Sequence, residues 1–316
     1  MKSLSFEKFL ASTRCILGEG AVIERLRRID GMELDPFLVN SAFLYNEVKR
    51  AALAGICRQY LDIGHHFGLP LLLSTPTWRA SRERIEAAGY GGFDVNGDNF
   101  RFIDSLRKSY AEYAEKIVIC GLMSCRGDAY RPTEALTTDE ARHFHAWQAD
   151  KLAAAGVDFL LASTLPALSE ARGLAAALAA TATPYIISFV VRPEGTLLDG
   201  NPLKDAVAAI DGTVNPRPLA FMINCTHASF ARTALLDETN SSPLVRQRVI
   251  GLLANTAAQS PEDLDNSTNL VEEKPETFAE AVAGLQLDLG MKILGGCCGT
   301  DDRHIRCLAA LLAQQQ

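Results

Sequence analysis

The chain has 316 residues, 48% of them hydrophobic and 22% charged, with a formal net charge of -7. That balance excludes a disordered chain, and the acidic charge without a Lys/Arg cluster argues against nucleic acid as a partner. The opening MKSLSFEKFLASTRC lacks the apolar core of a secretory signal, and no apolar run nears the ~20 residues that span a bilayer. A cytoplasmic protein with no membrane partner is therefore expected.

From the N-terminus, the first apolar run is residues 15–17, followed at once by Gly18-Glu19-Gly20. Apolar residues at helical spacing fill 41–64 and lead to a second run at 71–74. Further runs stand at 117–122, 158–162, 185–190, 219–224, 249–253 and 292–294. Several are nearly continuous hydrophobics, the pattern of parallel strands buried on both faces. Between them, 138–155 reads as a helix with Thr138 as N-cap and Asp139 and Glu140 in its first turn. The stretch 168–180 is rich in alanine and leucine. A helix over 275–289 starts on a proline, which suits the first helical position, and another over 302–315 closes the chain. The polar, acidic stretch 260–274 reads as a surface loop. Alternating strands and helices imply a parallel sheet. Eight repeats in a chain of this length favour an α/β fold of the (β/α)8 TIM barrel type, one domain over residues 1–316, with an open doubly wound sheet as the alternative.

The chain has eight cysteines, at 15, 57, 120, 125, 225, 297, 298 and 307. In a reducing compartment they do not form a disulfide framework, and metal binding or catalysis is the better reading for clustered ones. Cys15, Cys57, Cys120, Cys125 and Cys307 read as packing residues. The chemistry-bearing run is Gly295-Gly296-Cys297-Cys298-Gly299-Thr300, between a short strand and a helix. Its glycines free the backbone to turn two neighbouring thiols toward one point, which a regular strand cannot do. The second signal is Asn224-Cys225-Thr226-His227, which ends the sixth strand. Strand C-termini carry the active site in such a barrel, and alternate strands share a layer, so Cys225 can meet Cys297 and Cys298. Three thiolates suit zinc, and three rather than four leave a position for water or substrate. An incoming thiol would there become a thiolate, which fits transfer of an electrophilic carbon to sulfur. His227 is a candidate fourth ligand, with a structural role as the plainer reading.

At these two motifs the chain resembles the zinc-dependent homocysteine S-methyltransferase family. The resemblance implies a (β/α)8 barrel with zinc held by Cys225, Cys297 and Cys298, which makes these the catalytic and metal residues. Looser likenesses run through Asp302-Arg303-His304-Ile305, Gly121–Tyr130, Phe144-His145-Ala146-Trp147-Gln148 and Ser74–Ser81. The family usually has Asp-Gly-Gly after the first strand and Glu-Thr after the fourth, carboxylates that help hold the amino group of homocysteine. Here Gly18-Glu19-Gly20 and Ser163-Thr164 stand there. Glu19, Ser163, Thr164 and Asn224 are accordingly the expected substrate-binding residues. Glu19 can replace the first carboxylate, and Ser163 cannot supply the charge of the second.

The resemblance implies methyl transfer from a sulfonium donor, S-methylmethionine or S-adenosylmethionine, to the zinc-activated thiol of homocysteine. The partners would be a small thiol acceptor and a methyl donor. A different thiol acceptor is the alternative, because of Gly18 and Ser163, and a non-catalytic zinc or thiol-binding protein is a third. A Rossmann site is disfavoured, because Gly18-Glu19-Gly20 is followed by Ile23 where the third glycine would stand. His65 lies three residues after Asp62, the wrong spacing for a cobalamin-binding Asp-x-His motif.

Overall fold

The computed structural model describes residues 5–259 and 272–315. Eight parallel strands close on themselves in chain order. They are β1 (Ile16–Gly18), β2 (Leu71–Ser74), β3 (Ile117–Met123), β4 (Phe159–Leu165), β5 (Tyr185–Phe189), β6 (Ala220–His227), β7 (Val249–Asn255) and β8 (Ile293–Gly296). The closing pair is β1 with β8, where Ile16 faces Ile293 and Leu17 faces Leu294. The fold is thus the expected (β/α)8 barrel and not the open sheet. No helix among the described residues is long and apolar enough to cross a membrane.

The hydrophobic runs read from the sequence work because each strand is covered twice. Alternate residues such as Ile16, Leu72, Val118, Phe159, Leu161 and Met222 fill the barrel interior. Their neighbours, Leu17, Leu71, Ile119, Leu160 and Phe221 among them, pack outward under the helices. At the strand N-termini the short helix Phe6–Ser12 lays Phe6 on Phe159, ring centroids 3.9 Å apart and planes within 7°. That stack closes the floor of the barrel.

Local chemistry moved two expected boundaries. The 41–64 pattern splits into a 3-10 turn, Ser41–Tyr45, and a helix, Glu47–Phe67. Asn46 divides them because its side chain accepts the Lys49 N–H, a better use of Asn than a helix interior. The cap of the helix Thr138–Ala155 is Thr137, one residue before the expected Thr138. The Thr137 hydroxyl accepts from Glu140 N–H while the Glu140 carboxylate accepts from Thr137 N–H, a reciprocal box that Thr138 could not complete with Ala141. Of the expected surface loop 260–274, residues 260–271 lie outside the described residues. Helix Pro275–Leu289 begins on its proline as read.

Candidate metal centre

Two strand ends build the centre. β8 ends in Gly295 and Gly296, and both are forced to be glycine. A Cβ at Gly295 would stand 2.6 Å from Gly18 Cα on β1, and one at Gly296 would stand 2.3 Å from Thr300 Oγ1. The chain then turns, with Cys297 N–H donating to Ala254 O at 2.7 Å and Cys298 N–H to Asn255 Oδ1 at 3.1 Å. Glu24 receives the Gly299 N–H. These bonds satisfy the turn's backbone and leave both thiols to point inward.

On β6, the pairing with β7 slips between Asn224 and Thr226, and Cys225 between them takes a left-handed backbone, φ 51°. The bulge re-aims Cys225 across the barrel mouth. Its Sγ lies 2.8 Å from Cys297 Sγ, and the sulfurs of Cys225, Cys297 and Cys298 all lie within 4.8 Å of one another. The 2.8 Å gap is too long for a disulfide of about 2.05 Å. Three convergent soft donors without a carboxylate among them suit a zinc-like ion. Hydrogen bonding from Cys297 and Cys298 holds the Cys225 thiol well below the usual range. The same bonding, from the other side, holds Cys297 well above it and pushes Cys298 up to about 12.

The three cysteines line a cavity of about 360 Å³. Glu19, Ser163, Thr164 and Asn224 all line it, so the three cysteines and the four expected substrate-binding residues are brought to one place. Glu19 is 9% exposed, and its Oε1 accepts Ser74 N–H at 2.9 Å. Burial pushes its carboxyl up to about 7, against the lowering effect of the Ser74 bonds. Ser163 Oγ lies 3.4 Å from Thr164 Oγ1, and Thr164 Oγ1 lies 3.9 Å from Cys225 Sγ. The Asn224 amide is bonded to Thr164, Ser188 and Cys225.

His227 stands apart from the sulfurs. Its ring is held by Ser229 Oγ at 2.7 Å and Glu273 Oε1 at 3.2 Å, and it caps the helix Ala228–Leu236. Cys15, Cys57, Cys120 and Cys125 are buried and Cys307 is half-buried, none of them in the three-thiol cluster, although Cys57 also lines the cavity. The sequence reading did not single out Tyr130, Trp78 or Asn255, which also line the cavity. Tyr130 packs against all three cysteines, and the charge on Cys225 holds its phenol well above the usual range. Its signal was only the Gly-x-x-Tyr ending of residues 121–130. Nothing in that loop's pattern tells which side chain turns inward.

Comparison with known proteins agrees with this geometry. The homocysteine S-methyltransferase family model matches residues 16–312. A homocysteine S-methyltransferase of Escherichia coli is 30% identical over 190 residues, 58% of this chain and 57% of that protein. The YbgG homocysteine S-methyltransferase of Bacillus subtilis is 28% identical over 188 residues, 58% of this chain and 56% of its own length. These matches thus span little more than half of either relative. Among solved structures, the metallated form of the E. coli homocysteine methyltransferase MmuM superposes with a TM-score of 0.75 at 22% identity, covering 97% of this chain and 99% of that one. That likeness shows the shared barrel. The family match runs from the first strand to the last helix and takes in both cysteine segments, and the chain belongs to the homocysteine S-methyltransferase family.

Proposed function

We propose that the protein is a zinc-dependent S-methyltransferase that moves a methyl group from a sulfonium donor, S-methylmethionine or S-adenosylmethionine, to homocysteine, forming methionine. The observation that carries this reading is the convergence of Cys225, Cys297 and Cys298 on the wall of one cavity. These three residues would hold the ion. Bound there, zinc lowers the pKa of an acceptor thiol and presents it as the thiolate nucleophile.

The chain's own groups supply the rest. Glu19 offers a buried carboxylate to the acceptor's ammonium, and the neighbouring Ser163 offers a hydroxyl. Trp78 and Tyr130 also line the cavity, and their rings would help to exclude water around bound substrates. Holding both substrates in one cavity contributes several kcal/mol through proximity. In the transfer, a new S–CH3 bond forms on the acceptor while the donor's S–CH3 bond breaks. Its electron pair stays on the donor sulfur, which leaves as a neutral thioether.

A second reading keeps the same chemistry with another thiol as acceptor. Ser163 favours it, because a neutral hydroxyl stands where the family usually has a glutamate. Metal content by mass spectrometry, with a methyl-transfer assay on homocysteine and S-methylmethionine, tests the first reading. About one zinc per chain with methionine formed is expected from the three-ligand site. Zinc without methionine moves the assignment to a screen of other thiols. A Cys298→Ser protein that kept both zinc and turnover would overturn the metal assignment.

A further inference from the structure

Two non-glycine residues at the rim of the barrel hold left-handed backbone, Thr164 (φ 60°) on β4 and Cys225 (φ 51°) on β6. Each stands where its strand slips against the next. The β4–β5 register shifts between Ala162 and Leu165, and the β6–β7 register between Asn224 and Thr226. Such backbone is strained for a side chain with a Cβ, and most of all for a β-branched one such as threonine. It persists only where the surroundings over-determine it.

One buried side chain joins the two. Asn224 is 1% exposed. Its Oδ1 accepts the Thr164 N–H at 2.9 Å and the Ser188 hydroxyl at 2.7 Å. Its Nδ2 donates to Thr164 Oγ1 at 2.7 Å and to Cys225 Sγ at 3.3 Å. A backbone N–H can only donate, so the Thr164 contact fixes which end of the amide is oxygen. All four hydrogen-bonding positions of the amide are then filled by protein. None remains for a substrate.

We propose that Asn224 is a positioning residue for the metal centre: it locks Thr164 and Cys225 in their left-handed conformations and gives a hydrogen bond to the Cys225 sulfur, so that this thiol faces Cys297 before any ion arrives. The inference rests on the reading that the three cysteines hold a metal. Partners that orient a ligand are worth about 10- to 100-fold in metal affinity, and that is the loss expected on breaking this one.

The test compares four full-length proteins: wild type, Asn224→Asp, Asn224→Ala, and Asn224→Ala combined with Thr164→Gly. Zinc affinity is read by competition with a chromophoric chelator, and the geometry of the site by the thiolate-to-metal charge-transfer bands of the cobalt(II)-loaded chain. Asn224→Asp keeps the shape and the two accepted bonds but sets an anionic oxygen against the sulfur. It is the variant to rely on if Asn224→Ala fails to fold. Both single variants should lose affinity and show altered charge-transfer bands. Thr164→Gly removes the side chain that resists the left-handed backbone, so it should restore part of the affinity lost in Asn224→Ala. Wild-type affinity in the single variants, or a loss that Thr164→Gly does not ease, overturns the proposal.

A third readout separates this inference from the metal reading. In the metal-free, reduced chain, the rate of Cys225 alkylation by iodoacetamide is followed by peptide mass spectrometry. If wild type binds no zinc, the metal reading falls, and this rate decides the positioning role. A changed rate in the Asn224 variants supports the role, and an unchanged one overturns it.

Discussion

Glu19 is a carboxylate placed where ionisation is costly, and its pH behaviour follows. Its carboxyl has an ordinary pKa of 4.5 and is pushed by burial to about 7 in the folded chain. Between those values the folded state keeps a proton that the unfolded state has released. The folded state binds more protons there, so stability falls as pH rises from 4.5 to about 7, and the deficit is complete above that. Each pKa unit corresponds to about 1.4 kcal/mol, so the full deficit is about 3 kcal/mol. Glu19→Gln keeps a carbonyl for the Ser74 N–H and removes the ionisable group. The ligand-free variant should be more stable than wild type in denaturant at about pH 8, by up to about 3 kcal/mol, and equal to it at about pH 4. A difference that did not change with pH would contradict the assignment. If Glu19 holds the acceptor's ammonium as proposed, that cation favours its ionised form, and the same substitution should raise the acceptor's KM more than it lowers kcat.

The helix Phe6–Ser12 is seven residues long and has no side-chain N-cap, so packing holds it rather than propensity. Its anchor is Phe6, stacked on Phe159 at the end of the barrel away from the cysteines. Phe6→Ala should destabilise the chain by about 3–5 kcal/mol in chemical unfolding. Zinc content of the folded protein should stay the same, and a loss of zinc without loss of stability would refute this division. The elements themselves were legible because each strand is apolar on both faces. Cys297 and Cys298 were legible because glycine-flanked paired cysteines have few other uses, and Cys225 because it ends an alternate strand of the barrel. The bulges at Thr164 and Cys225 were not. A bulge is a count of residues against a partner strand, and the partner's register is not written in the bulged strand. Tyr130 stayed hidden for a related reason, since its direction depends on how its loop docks. The Thr138 cap reading missed by one residue because the box requires glutamate three places on, and only Thr137 has it.

At the scale of the whole molecule, strand and helix alternation gave the parallel sheet, and closure came from β1 meeting β8. Closure has a packing condition that the sequence does show once the pairing is known. Gly18 and Gly295 face each other across that seam with no room for a Cβ.

The filled floor has a kinetic consequence. Phe6 and Phe159 stop the barrel at one end, and the interior beneath the cavity is solid side chain. For the proposed methyl transfer, both substrates and both products would therefore use the cavity's one open side, and the acceptor would have to reach the three thiols that line it. A molecule that reaches the sulfurs has to enter before the one that sits above it, and to leave after it. Under the proposed reaction, the order would be acceptor first, donor second, demethylated donor out, methylated thiol last. Product-inhibition patterns should then show the methylated thiol competing with the acceptor alone, and a random pattern would mean that the wall opens during turnover.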